Sequence, residues 1–214
     1  MADVDQHRER EAGTVRATLP PSGPAVLVAA VGGAEGSRPT AAALACAAAD
    51  VDRATLLIDI GGRPPRPTLL ASVAAQRLEE RLVAHLPGAR VAARGHVCHL
   101  AVDCGPEGFE SALAAAAAAR DELRVLHVGA ANVEPLLDCA VGALSGVLLR
   151  ADLPRDRSLL ALAVRDLLGR VPSVAVLKQR LPWVAERRAL FGSLPPGAPG
   201  GLPASICRKL LSER

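Results

Sequence analysis

The sequence predicts an α/β protein with a mostly parallel, doubly wound sheet and helices on both faces. Six short, apolar runs recur along the chain, and strands that are buried on both faces have this nearly continuous apolar character. A helical stretch follows each run, and such alternation is typical of parallel sheets, whose crossover connections are helices. Half of the 214 residues are hydrophobic, which is enough for one sizeable core.

The predicted strands and helices take turns from residue 25 onward. Strands are expected at 25–31, 54–60, 96–104, 124–130, 146–151 and 173–178. Helices are expected at 40–49, 68–85, 107–120, 133–143, 157–168 and 183–191. The helix at 107–120 contains an alanine tract. Alanine combines the highest helix propensity with little bulk, which suits close packing against a sheet.

The composition divides the chain into three parts. Residues 1–24 form a polar, proline-ended tail that we expect to be disordered. Residues 25–191 form one α/β domain, because a domain of roughly 150 residues is usual. Residues 192–214 hold a Pro/Gly loop and a short basic helix.

The charge is concentrated near the C-terminus. Between Lys178 and Arg214 there are seven basic residues and two acidic ones, although the whole chain carries only +3. An anionic partner such as DNA, an acidic protein or a lipid surface would therefore make a weak contact with this end. Docking of the final helix onto the core is the alternative, and the one that we favour.

The composition also excludes some functions and favours one compartment. Two Phe, one Trp and no Tyr leave little on which bases could stack, which argues against a dedicated nucleic-acid binder. Five cysteines without a C-x-x-C pair are expected to be buried thiols of a reducing cytoplasm. The charged start lacks the apolar segment of a signal peptide, and Pro and Gly interrupt the longest uncharged stretches. We therefore expect a cytoplasmic protein.

A glycine-rich stretch, "VAAVGGAEGSRPTAAALA" at 28–45, runs from a strand through a loop into a helix. Phosphate-binding loops are built in this order, because the backbone N–H groups at the helix N-terminus hold the phosphate oxygens. The residues predicted to contact a nucleotide are Gly32, Gly33, Gly36, Ser37, Arg38 and Thr40.

This loop departs from the pattern G-x-x-x-x-G-K-[ST]. Counted from Gly32, the lysine position holds Arg38 and the hydroxyl position holds Pro39. Proline has neither an N–H nor a hydroxyl, and a planar guanidinium does not fit the space of a compact ammonium. The alternative is an ordinary turn, in which Ser37 caps the helix and Pro39 starts it.

Three segments together resemble the ParA/MinD group of P-loop ATPases, including its pilus-assembly members of the TadZ/CpaE kind. They are "VLVAAVGGAEGSRPTAAALA", "ATLLIDIGGRPPRPTLLAS" and "HLAVDCGPEG". In that family the first is the phosphate loop, the second is a strand ending in an acidic residue, and the third is a Walker B strand ending in D-x-P. The resemblance covers about 26–178 in order and hydropathy, and it implies a P-loop NTPase-like fold.

The resemblance implies ATP or ADP with Mg²⁺ as the cofactor, if one is bound. Asp59 and Asp103 fall at the matching acidic places, and Thr40 lies near the hydroxyl position, so these three are the predicted metal ligands. Capping or turn formation is the alternative role for the two aspartates. Both ATPase lysines are missing, because their places hold Val31 and Arg38. We therefore assign no catalytic residue and do not expect efficient hydrolysis.

Other constellations are less specific. His96, Cys98, His99 and Cys104 resemble a metal set, but strand alternation sends His99 to the face opposite His96 and Cys98, whereas zinc needs three or four convergent ligands. The chain has no G-x-S-x-G elbow and no serine with an identifiable histidine and acid. The sequence therefore predicts neither a zinc site at these His and Cys residues nor a serine hydrolase.

Three functional hypotheses remain. The first is a degenerate ParA/MinD-like protein that binds a nucleotide weakly or not at all. The resemblance implies that such a protein serves as a partner or scaffold in positioning or assembling a cell-envelope or pilus machine, with a protein partner or as a homodimer. The second is an active, unconventional P-loop NTPase that uses Arg38, Thr40, Asp59 and Asp103. The third is a structural interaction domain without a ligand.

Overall fold

The computed structural model describes residues 24–32, 36–49, 54–61, 73–83, 91–94, 97–102, 106–119, 123–129, 133–140, 143–190 and 201–211. Its strands are β1 (Ala25–Ala30), β2 (Thr55–Ile60), β3 (Val91–Arg94), β4 (Val97–Val102), β5 (Leu123–Val128), β6 (Gly146–Arg150) and β7 (Val174–Leu177). Its helices are α1 (Ser37–Ala49), α2 (Val73–Val83), α3 (Pro106–Ala118), α4 (Val133–Ala140), α5 (Arg157–Leu167), α6 (Trp183–Leu190) and α7 (Ala204–Leu211). The predicted N-terminal tail, residues 1–23, lies outside the described residues.

The strands form one sheet in the order β3-β4-β2-β5-β1-β6-β7. Every neighbouring pair is parallel except β3 with β4. The predicted α/β class and mostly parallel sheet are therefore confirmed. Because β5 lies between β1 and β2, the connection through α1 must cross β5.

Strand β3 is an element that the sequence analysis missed. It pairs antiparallel with β4, with Val91 opposite Leu100 and Arg94 opposite Val97. Its sequence is VAAR, and alanine has a low preference for strands. Four residues at the edge of a sheet are also too few to show an alternating pattern. The segment is therefore a strand because it pairs with β4 and not because of its own sequence.

Helices cover both faces of the sheet, as predicted. One face packs α2, α3, α4 and α5 around residues such as Leu27 and Leu126. The other packs α1, α6 and α7 around Val28 and Val125. Adjacent strand residues point to opposite faces, so each central strand contributes to both cores. We call the second face the α1 face.

The loop after β1 begins at the carboxyl edge of the sheet. The Val31 N–H donates to the Arg150 carbonyl oxygen at the end of β6, with an N···O distance of 2.8 Å. Helix α1 then begins at Ser37, and the Gly36 carbonyl accepts the Thr40 N–H at 3.1 Å. The expectation that Ser37 caps the helix and Pro39 starts it is therefore wrong. Pro39 lies inside the first turn, where its missing N–H removes no helical hydrogen bond.

The C-terminal helix α7 docks on β6 and β7 at the α1 face. Leu210 is buried there, and the Lys209 Nζ donates to the Val174 carbonyl oxygen at 2.6 Å. Docking onto the core, which the sequence analysis favoured, is confirmed for this helix. Among the helices in the described part of the chain, none has the length and apolar character needed to cross a bilayer.

Candidate functional site

The centre of the candidate site is Asp59, the second-last residue of β2. Its side chain is only 1% exposed and contacts residues from three other elements. The Arg38 Nε of α1 lies 2.5 Å from Asp59 Oδ2, and the His127 Nδ1 of β5 lies 2.7 Å from Oδ1. The His99 Nε2 of β4 lies 3.6 Å from Oδ2. A cation and two imidazoles therefore surround one buried carboxylate.

Sheet register explains why these groups meet. Asp59 is directly opposite His127 on β5 and Ala101 on β4. His99, two residues before Ala101, shares the face of Asp59 because side chains alternate along a strand. Helix α1 packs over β5 and β2, so its first turn lies above this pair.

Ser37 extends the cluster toward the surface. Its Oγ lies 3.0 Å from His127 Nε2, and the residue is only partly buried. Asp59, held ionised beside Arg38, can only accept hydrogen bonds, so the His127 Nδ1–H donates to it. In the neutral imidazole Nε2 then accepts from the Ser37 hydroxyl. Hydrogen bonds thus run in one direction, from Ser37 through His127 to Asp59.

The pKa of Asp59 is set by two opposing effects. Burial alone would raise it, because a low-dielectric environment disfavours the charged form. The hydrogen bond from His127, the nearby His99 imidazole and the positive charge of Arg38 outweigh burial and hold the pKa well below its usual range. The carboxylate is therefore ionised throughout the physiological pH range.

This lowered pKa predicts a pH-dependent stability difference. A carboxyl whose pKa is lower in the folded protein than in the unfolded chain adds stability above its unfolded pKa of about 3.9. That stability is lost as the pH falls from there toward the folded pKa. We expect the free-energy difference between wild type and Asp59→Asn to be constant from pH 7 to 5 and to shrink from pH 4 to 2, as measured by urea unfolding. A difference that does not change below pH 4 would contradict this.

The other residues predicted to bind a nucleotide lie around this cluster. Gly32 and Gly36 have positive φ angles of 61° and 87°, which glycine adopts without steric cost. Thr40 is fully buried, and its Oγ1 donates to the Gly36 carbonyl oxygen at 2.7 Å. Gly33 and Asp103 lie outside the described residues. The structure therefore brings Ser37, Arg38 and Asp59 together and turns the Thr40 hydroxyl toward the loop backbone.

Thr40 and Asp59, the two predicted metal ligands that the structure describes, are not arranged to hold a Mg²⁺ ion. Mg²⁺ requires near-octahedral oxygen ligands at about 2.0–2.1 Å. The Asp59 carboxylate, however, is contacted by Arg38 and His127, and the Thr40 hydroxyl by a carbonyl. Among the residues that the structure describes, no group of three or more His, Cys, Asp and Glu side chains is arranged to hold a metal ion.

Two buried carboxylates flank the glycine loop. A Cβ at Gly32 would lie 2.5 Å from Asp156 Oδ1, and one at Gly36 would lie 3.3 Å from Glu186 Oε1. Glu186 pairs with Arg180, whose Nε lies 2.6 Å from Oε1. Asp156 accepts the Asp152 N–H at 2.9 Å. Arg180 balances the charge of Glu186, whereas the Asp156 carboxylate beside Gly32 disfavours an anionic ligand at that end of the loop.

A cleft next to the cluster is small and mostly apolar. Arg38 and His99 line it together with Cys46, Leu57 and Leu190. Its volume of about 10 Å³ has room for about one water molecule. Ligand pockets typically measure about 300–1,000 Å³, so this cleft does not hold a nucleotide.

His127 was missed in the sequence analysis, and His99 was considered there only as a candidate metal ligand. His127 interrupts an apolar run one residue before the end of β5, the same position that Asp59 has in β2. A polar residue at the same position in two apolar strands is a sequence signal for a site at that edge of the sheet. Only the strand order shows that β2 and β5 are adjacent, so that Asp59 and His127 meet. The predicted separation of Cys98 from His99 is confirmed, because Cys98 packs in the core opposite the α1 face.

Comparisons with known proteins give similarity only at the level of structure. No family model matches the chain, and no curated protein is similar to it in sequence. A ParA family ATPase from Chlorobium tepidum TLS is similar with a TM-score of 0.49 and 16% identity, over 81% of each chain.

Two further solved structures are similar at the same level. The MinC:MinD cell division protein complex of Aquifex aeolicus matches with a TM-score of 0.45 and 19% identity, over 89% of this chain and 78% of that one. The kinase domain of the Escherichia coli tyrosine kinase ETK matches with a TM-score of 0.44 and 13% identity, over 82% and 72%.

Proposed function

We propose that this chain is a degenerate ParA/MinD-like domain that binds nucleotide weakly or not at all and acts as a partner or scaffold. The observation that carries the proposal is the ion pair between Arg38 and Asp59. Arg38 occupies the sequence position that holds the phosphate-binding lysine in P-loops. Instead of being available to a phosphate, its guanidinium pairs with the carboxylate of Asp59.

A nucleotide would have to compete with this carboxylate for Arg38. Breaking a buried ion pair costs about 3–5 kcal/mol. The Arg38 side chain is 36% exposed, so solvent screening reduces that cost to about 2 kcal/mol. Since about 1.4 kcal/mol is a factor of ten, the affinity falls by roughly thirtyfold. The Asp156 carboxylate beside Gly32 adds to this penalty.

The cellular role of such a domain follows from its surfaces. With turnover absent, a ParA/MinD-like domain acts through the surfaces that it presents to a protein partner or to a second copy of itself. We propose a cytoplasmic role in positioning or assembling a cell-envelope or pilus machine, on the basis of the resemblance of the three sequence segments. The domain would comprise residues 25–191, with 192–214 as its C-terminal extension.

Removing the competing carboxylate tests this proposal. We expect wild type to bind Mg²⁺-ATP weakly or undetectably in calorimetry and to release phosphate well below about 1 per second, the low end of ordinary enzymes. Asp59→Asn keeps the size of the side chain and removes its charge. It should raise the affinity for ATP or pyrophosphate by about tenfold or more, because the charge of Arg38 then becomes available to the anion.

Two matched controls separate this effect from a general change in charge. Asp138→Asn removes an exposed carboxylate from α4 and should leave the affinity unchanged. Arg38→Gln combined with Asp59→Asn should abolish the gain. Turnover above 1 per second that vanishes in Arg38→Ala would contradict the proposal and favour the active NTPase. No binding in wild type or in Asp59→Asn would favour the interaction domain without a ligand.

A further inference from the structure

We propose that Ser37, His127 and Asp59 form a nucleophilic triad that hydrolyses carboxylic esters with small acyl groups. This activity is separate from the proposed function, since it requires neither a nucleotide nor a partner. It rests on the contacts of three side chains that come from α1, β5 and β2. The ion pair on which the proposed function rests does not involve the Ser37 hydroxyl.

The distances are those of a nucleophile, a general base and a group that orients the base. Ser37 Oγ lies 3.0 Å from His127 Nε2, and His127 Nδ1 lies 2.7 Å from Asp59 Oδ1. Both fall within the range of about 2.6–3.2 Å expected for such pairs. The two contacts use different nitrogens of one imidazole. His127 can therefore take the serine proton at Nε2 while Asp59 holds Nδ1.

The burial of the three residues follows the order that the chemistry needs. Asp59 is almost fully buried and His127 is buried, whereas Ser37 is partly exposed. Ser37 is also the first residue of α1 and follows Gly36, whose φ is 87°. This turn places Ser37 at the carboxyl edge of the sheet, beside the end of β5. The positive end of the α1 dipole favours the negative charge that develops on the ester carbonyl oxygen.

The hydrolysis proceeds in two balanced steps. In the first, Ser37 Oγ bonds to the ester carbonyl carbon and its proton passes to His127 Nε2. The bond to the alcohol oxygen breaks, and the alcohol leaves with that proton. In the second, water attacks the acyl-serine, and His127 takes a proton from the water and returns it to Ser37. One ester and one water thus give one carboxylic acid and one alcohol, with no change in oxidation state.

Asp59 is a positioning residue in this scheme, and Arg38 moderates it. The carboxylate fixes the tautomer of His127 and stabilises the imidazolium during the reaction. Arg38 at Oδ2 already neutralises part of its charge. Arg38→Gln is therefore expected to raise the esterase rate severalfold, because the imidazolium then has the full carboxylate charge as its partner.

The test measures covalent labelling and ester turnover on the full chain. A fluorophosphonate probe should add to wild type at one position, which peptide mass spectrometry should locate at Ser37. p-Nitrophenyl acetate should be turned over, because it is an activated ester whose small acyl group does not depend on a deep pocket beside Ser37. Ser37→Ala should lose the label and about a hundredfold or more of the rate. Ser158→Ala, at an exposed serine of α5, should change neither.

Two further variants test the roles of His127 and Asp59. His127→Gln should lower the labelling rate about a hundredfold. Asp59→Asn should lower kcat with KM unchanged, because its amide favours the wrong tautomer of His127. Thermal unfolding shows whether His127→Gln folds. If it does not, Ser37→Ala, at a partly exposed position, is sufficient to test the triad. Absence of labelling in wild type, or equal labelling and turnover in Ser37→Ala, would overturn the triad without affecting the nucleotide experiment.

Discussion

Replacing Asp59 by alanine should lower the free energy of unfolding by about 3 kcal/mol. The carboxylate receives the hydrogen bond of His127 and the charge of Arg38, with His99 close by. Its removal leaves polar nitrogens of β4 and β5 facing a space that is closed to bulk water. Urea denaturation with an unchanged slope would measure the loss.

An exposed acid provides the control for this effect. Asp138 lies on the surface of α4, 3.8 Å from Arg170, and exposed ion pairs contribute about 0–1 kcal/mol. Asp138→Ala should therefore remain within about 0.5 kcal/mol of wild type. A loss below about 1 kcal/mol for Asp59→Ala would show that the cluster rearranges easily and would weaken the argument for a closed site.

A double-mutant cycle assigns the stability to the ion pair itself. Arg38→Ala alone should cost less than Asp59→Ala, because Arg38 is partly exposed and its partner keeps His127. The coupling energy between the two substitutions should lie in the range of about 0.5–3 kcal/mol seen for groups in direct contact. A coupling near zero would mean that Arg38 is available to an anionic ligand after all.

Gly32→Ala should also destabilise the protein by about 3 kcal/mol, through two separate effects. A φ angle of +61° costs an alanine about 1–2 kcal/mol. The new Cβ would also lie 2.5 Å from Asp156 Oδ1. Asp156 cannot easily move away, because it is buried and accepts the Asp152 N–H.

Gly169 separates these two effects. Its φ is +90°, and a Cβ there would meet nothing within 4 Å. Gly169→Ala should therefore cost only the backbone strain, about 1–2 kcal/mol. Thermal or urea unfolding of both variants would give the comparison. Equal losses would show that the contact between the loop and Asp156 contributes nothing.

The sequence by itself determined the architecture of this protein. Alternating apolar runs and helical stretches required a parallel sheet covered on both faces, because strands buried on both sides need helical crossovers. It also placed Asp59 near the end of β2, whereas Arg38, expected in the loop after β1, lies in the first turn of α1. These are local properties, since they depend on patterns within about ten to twenty neighbouring residues.

Only the tertiary structure decided what these residues contact. Ser37 and His127 are 90 positions apart, and Asp59 and His127 are 68 apart. They meet because β5 lies between β1 and β2, so that α1 crosses His127 on its way to β2. Strand order depends on the packing of the whole sheet, and no local pattern specifies it. From the sequence alone, Arg38 was therefore expected to contact a phosphate. In the fold it forms an ion pair with Asp59, and Ser37 contacts His127.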